Sequence, residues 1–113
     1  MHEYSLVQAL LDGVAHEAAA HRAVAVHRVH VRIGALAGVE ADLFATAFEM
    51  LRPGTLCAAA ELVINHEASV WSCPSCAVPV PPDGALACPA CGWPARLASG
   101  DGLVLERIEL EVP

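Results

Sequence analysis

The chain contains no lysine. Its fixed cations are six arginines (Arg22, Arg28, Arg32, Arg52, Arg96 and Arg107), scattered rather than clustered, and the net charge is −7. Binding a phosphate backbone needs several neighbouring Lys or Arg contacts, so nucleic acid is not an expected partner. No apolar stretch approaches the roughly 18 residues that cross a bilayer. The opening Met1-His2-Glu3-Tyr4 also lacks the basic region of a secretory signal. A soluble, unexported, cytoplasmic protein with no membrane partner is expected. Missing as well are a Gly-rich phosphate loop, a nucleophile elbow and a three-ligand metal site with an open position, so an enzyme is not expected.

What is present is apolar. Hydrophobic residues make up 56% of the chain and charged ones 17%, which excludes a disordered polymer. A length of 113 residues allows one compact core and at most a satellite. Leu6, Leu10, Val14 and Ala18, widened by Val7 and Leu11, recur at helical spacing over residues 5 to about 20. Ser5 and Gln8 fit a capping box at the start of that helix, and Gly13 interrupts it. Over residues 24–33 the period becomes two, with Val29, Val31 and Ile33 alternating with Arg28, His30 and Arg32. Gly34 and Gly38 punctuate the following loop. Glu40 and Asp42 then suit a helix N-terminus, and Leu43, Phe44, Ala47, Phe48 and Leu51 form a stripe that stops before Pro53-Gly54. Residues 62–64 make a second strand and residues 103–112 a third, where Ile108, Leu110 and Val112 alternate with charged neighbours. The expected fold is α+β: a small three-stranded sheet covered by two helices. Residues 1–70 and 98–113 would form this discontinuous domain, and residues 71–97 an inserted ribbon.

The insertion holds four of the five cysteines and six of the eight prolines. Cys73-Pro74-Ser75-Cys76 and Cys88-Pro89-Ala90-Cys91 are two Cys-x-x-Cys knuckles separated by eleven residues. Each knuckle brings two thiolates to one side of the backbone, and two facing knuckles complete a tetrahedron around zinc. Four thiolates leave no position open to water, so the site is structural. So short an insertion cannot bury enough apolar surface to fold unaided, and zinc supplies the difference. Two disulfides or a thiol redox pair are the alternatives, both disfavoured in an unexported chain whose knuckles do not open helices. Cys57 reads as a buried small hydrophobe.

The second unusual chemistry lies at the start. The Met1 amine, the His2 amide nitrogen and the His2 imidazole can close two fused chelate rings, and Glu3 can add a ligand through backbone or carboxylate. Such a flat nitrogen and oxygen set suits Ni(II) or Cu(II). His16 and His21 on the first helix, His27 and His30 on the first strand, and His66 near the insertion read as polar surface.

Met1-His2-Glu3 with Ser5-Leu6, Arg32-Ile33-Gly34 with Gly38-Val39-Glu40, Ala47-Phe48-Glu49, the two knuckles, and Gly100-Asp101 before a Leu-rich strand together resemble the HypA/HybF family of hydrogenase maturation factors. The resemblance spans nearly the whole chain. It implies a nickel metallochaperone that binds Ni(II) at its N-terminus and helps insert it into the large subunit of a [NiFe]-hydrogenase. The implied partner is a HypB-like GTPase, and some members also serve urease maturation. Carried over, His2 is the nickel ligand most strongly implied, Glu3 is a neighbouring nickel ligand, and Cys73, Cys76, Cys88 and Cys91 bind zinc. Glu40 falls where some members offer an acidic residue to nickel, although certain members carry the shorter Asp there. Ala77 and Gly92 stand where some members carry a histidine after a knuckle cysteine, so a local zinc-ligand switch is not implied. A zinc-ribbon interaction module without nickel is the competing reading. Monomer and homodimer are both compatible with the sequence.

Overall fold

The computed structural model describes residues 2–113. Its elements in chain order are α1 (His2–Ala20), β1 (Ala25–Gly34), α2 (Ala41–Leu51), β2 (Glu61–Glu67), β3 (Val70–Ser72), β4 (Pro79–Val80), β5 (Arg96–Ser99) and β6 (Leu103–Glu111). They build an α+β fold with two separate sheets. β1 is the middle strand of a mixed sheet ordered β2-β1-β6, parallel to β2 and antiparallel to β6. The parallel pairing needs a crossover, which α2 supplies. β3, β4 and β5 form a small antiparallel sheet ordered β4-β3-β5. Among the described residues, no helix is long and apolar enough to cross a membrane.

The core lies between the mixed sheet and the two helices. Val7, Val14 and Ala18 from α1 and Phe44, Ala47 and Phe48 from α2 pack with Val26, Val29, Val31 and Ile33 of β1. Phe44 and Phe48 are fully buried, and truncating such a ring to alanine typically costs about 3–5 kcal/mol. Cys57 is buried in this core, and burial pushes its thiol pKa up.

Three local expectations change. α1 begins at His2, because Ser5 lies inside the helix and its hydroxyl donates back to the His2 carbonyl at 2.9 Å; the Ser5/Gln8 capping box does not form. Leu43 leaves the α2 stripe and is half exposed, sharing with Thr46 and Met50 the face turned away from the sheet. In β6, Leu103 and Leu105 face inward on odd positions and Ile108 and Leu110 on even ones, since Glu106 is the extra residue of a β-bulge opposite His30/Val31. A second bulge at His27 lets Val26 and Val29 both point into the core.

The outer face of the mixed sheet carries the charge. Arg28 sits between its cross-strand partners Glu61 and Glu109, at 2.9 Å from each. The His30 ring lies 2.6 Å from Glu109, and Arg32 donates to Glu106 at 3.1 Å. His30 first, and then Arg28, hold the Glu109 carboxyl down from 4.5 to about 2.

Where the two sheets meet, three backbones cross with no room for side chains. A Cβ on Gly34 would collide with the Gly100 carbonyl, and Gly100, at φ +105°, would press a Cβ to 2.7 Å from the Ser69 Cα. Gly34 N–H donates to Gly102 O at 2.9 Å, Ala35 N–H to Glu67 O at 2.8 Å and Leu36 N–H to Gly100 O at 2.8 Å. The crossing is a bonded joint between the sheets.

Three outcomes are expected. Gly13, exposed in α1 with nothing within 4 Å of a new Cβ, should gain about 1 kcal/mol of stability as Gly13→Ala. Gly34→Ala at the crossing should lose about 1–3 kcal/mol or more; urea midpoints check both. Glu109 has a depressed folded pKa, so its stabilising contribution is complete above 4.5 and disappears as pH falls through about 2. Wild-type stability should therefore decline more steeply than that of Glu109→Gln across this window in thermal melts.

Candidate metal centres

The two knuckles fold by the same local rule. Pro74 and Pro89, with φ locked by the ring, each start a tight turn after a cysteine. In the first, Ala77 N–H donates to Cys73 O at 2.9 Å, Cys73 N–H to Val78 O at 3.0 Å, and Cys76 N–H to the Cys73 sulfur at 3.3 Å. In the second, Gly92 N–H donates to Cys88 O at 2.8 Å, Cys88 N–H to Trp93 O at 2.8 Å, and Ala90 N–H to the Cys88 sulfur at 3.3 Å. Both turns close on a left-handed residue, Ala77 at φ +59° and Gly92 at φ +76°.

The small sheet faces these turns toward each other. The four Sγ atoms lie within 4.8 Å of one another, and Cys73 and Cys91 are 3.6 Å apart. A tetrahedron of thiolates with bonds of about 2.3 Å to a metal has edges of about 3.8 Å, so the cluster fits such an ion. Cys73 and Cys88 are buried, whereas Cys76 and Cys91 are exposed. The Cys76 N–H aimed at its sulfur is the main reason the Cys73 thiol is held down to about 7. Contact with Cys91, then with Cys73, pushes Cys76 up to about 12. The sulfurs beside Cys76 oppose its ionisation in this way, and a cation among them would relieve the opposition. Among the described residues, no disulfide joins any of the five cysteines.

The N-terminal residues form a different environment. His2 opens α1 with its side chain 57% exposed, and its Nε2 lies 3.6 Å from Glu3 Oε2. Glu3 is buried and accepts the Glu40 backbone N–H at 3.0 Å. That bond and a second from its own backbone N–H draw its pKa below the usual carboxylate range, against the opposing effect of desolvation. Glu40 is the N-cap of α2, with an exposed side chain that makes no capping bond. Met1, whose amine belongs to the candidate chelate, lies outside the described residues. Among the described residues, the cysteines are the one group of three or more His, Cys, Asp or Glu donors close enough to share an ion. His2, Glu3 and the Glu40 side chain are not gathered into such a set.

Residues 1–110 match the family described as "Hydrogenase/urease nickel incorporation, metallochaperone, hypA". The chain belongs to the HypA family. It is 34% identical over 113 residues to the hydrogenase maturation factor HypA of Shewanella baltica (strain OS223), covering 98% of this chain and 97% of that one. With the HypA of Wolinella succinogenes it shares 36% over 114 residues, covering 98% and 96%. Its fold is similar to the solution structure of the Ni metallochaperone HypA from Helicobacter pylori, with a TM-score of 0.74, 28% identity and 98% of each chain covered. A further solution structure of a HypA protein aligns with a TM-score of 0.82 at 28% identity, covering 100% of this chain and 98% of that one. The chain is thus a non-catalytic HypA nickel metallochaperone for hydrogenase maturation, with a four-cysteine metal site.

Sequence reasoning missed how this HypA chain uses Glu40, whose backbone N–H meets Glu3 while its side chain stays outside. A signal existed. The third helical position of α2 is Leu43, which cannot return a carboxylate to the N-cap amide as a capping box would, so that amide needs a partner from elsewhere. Ala77 and Gly92 were likewise visible only as absent histidines, whereas their backbone geometry closes the knuckles. The purified chain should hold one tightly bound metal ion, and Cys73→Ser or Cys91→Ser should release it. Elemental analysis after gel filtration measures this.

Proposed function

We propose that this chain carries Ni(II) as cargo on the Met1 amine, the His2 amide nitrogen and the His2 imidazole. Glu3 stands beside them, and Glu40 offers a further carboxylate at the N-cap of α2. Membership of a nickel-incorporation family over residues 1–110, with an exposed His2 at the helix start, is the observation that carries this reading. Physical chemistry supports it. The first amides of a helix have no intrahelical acceptor, so recruiting the His2 nitrogen breaks no helical hydrogen bond. Flat nitrogen donors suit Ni(II), and an exposed site with few ligands can release its ion to a client. Cu(II) would bind such a set at least as tightly, so choice of metal rests on availability and docking.

Cys73, Cys76, Cys88 and Cys91 hold one structural Zn2+ in this reading. Four thiolates satisfy zinc without an open position, and the ion offsets the ordering entropy of a unit with little core of its own. Residues 71–97 then act as a zinc-ribbon domain inserted into a nickel-binding domain of residues 1–70 and 98–113. The cargo passes, with a HypB-like GTPase, to the large subunit of a [NiFe]-hydrogenase in the cytoplasm, and urease maturation proteins are further candidate recipients.

Nickel titration of zinc-loaded protein tests the cargo site. The native N-terminus should bind one Ni(II), while an N-terminal extension and His2→Ala should each lose it; equal binding by all three would remove the proposed ligands. Imidazole and amine must shed protons to bind, so affinity should fall as pH is lowered from about 8 to about 5.5, and a flat profile would contradict them.

A further inference from the structure

We infer that Glu3 is a positioning residue whose carboxylate stays off the nickel and fixes the His2–Glu3 peptide against the N-terminus of α2. The inference rests on the N-terminal cargo site proposed above. Its basis is the bonding of one buried side chain. Glu3 accepts the Glu40 N–H at 3.0 Å, across 37 residues of sequence, and is itself buried.

In a capping box, the third residue of a helix returns a carboxylate to the amide of its own N-cap. α2 has Leu43 at that position, and Glu3 performs the same task from another helix. The anion thereby lies at the end of α2 where the helix dipole favours negative charge. Turning the carboxylate outward onto a metal would draw Oε2 away from the Glu40 N–H at a largely buried position, and a buried unsatisfied N–H is costly. Left in place, the same bond holds the residue after His2 rigid. The amide nitrogen and imidazole of His2 are then presented from a fixed backbone at the exposed end of α1. Groups that orient metal ligands from behind act in this way.

Three variants with native N-termini separate reach from charge. Glu3→Gln keeps the length and an acceptor oxygen but loses the charge. Glu3→Asp keeps the charge but is one methylene shorter. Glu3→Ala loses both. Each is loaded with zinc, and the Glu40 amide is followed by hydrogen exchange without nickel before affinity is measured by competition with a chelator. Glu3→Gln should retain Glu40 protection and near-native affinity, whereas Glu3→Asp and Glu3→Ala should lose protection and bind nickel about tenfold more weakly or worse. The inference is overturned if Glu3→Gln keeps Glu40 protected yet binds like Glu3→Ala, or if Glu3→Asp matches wild type while Glu3→Gln fails. His2→Ala is the control: if it binds nickel as wild type does, the N-terminal cargo site itself has failed, and the Glu40 exchange data still report on the cap alone.

Discussion

A carboxylate near the beginning of the chain satisfies the amide that opens a helix 37 residues later, and the geometry of the N-terminus follows from that contact. The opening turn of a helix ordinarily frays, because its first amides lack acceptors. Here Glu3 is buried while its neighbours His2 and Tyr4 face solvent, so the backbone is tied down directly beside the exposed His2 ring. The β1–α2 connection that carries Glu40 begins at the glycine crossing, where Leu36 N–H bonds Gly100 O beside the strands of the cysteine sheet. A short bonded route of backbone therefore links the joint between the sheets to the first turn of α1.

The two metal environments divide by rigidity. The cysteine cluster is gathered: two similar turns each aim a backbone N–H at sulfur, and four soft donors converge within 4.8 Å of one another. Four such donors suit a zinc-like ion, and β3, β4 and β5 contribute few buried side chains of their own. At the N-terminus the imidazole is more than half exposed and no described set of three donors converges. In the proposed reading, an ion there is held loosely by comparison, as delivery requires.

Legibility in the sequence followed the range of the interaction. The knuckles could be read because a Cys-x-x-Cys turn is settled by its own residues, and two such turns converge wherever a hairpin joins them. The strand periods at Val29 to Ile33 and at Ile108 to Leu110 reflect one buried face, and α2 announces itself through Phe44, Ala47, Phe48 and Leu51. What failed was non-local or out of phase. Ser5 and Gln8 imitate a helix start, but α1 already runs from His2, and the contact of Glu3 with the α2 N-cap Glu40 leaves no local pattern. Leu43 is as apolar as the stripe it adjoins, yet its place on the helix turns it outward. The bulges at His27 and Glu106 shift the alternation by one residue, and a single strand carries no trace of its partner's extra residue.

Hydrogen exchange at the Glu40 amide, compared before and after nickel is added to zinc-loaded protein with its native first residue, tests the role given to Glu3 most directly. The account predicts that this amide stays as protected with nickel bound as without it. Loss of protection in step with nickel occupancy would mean that the carboxylate has left the helix for the metal, and would contradict it.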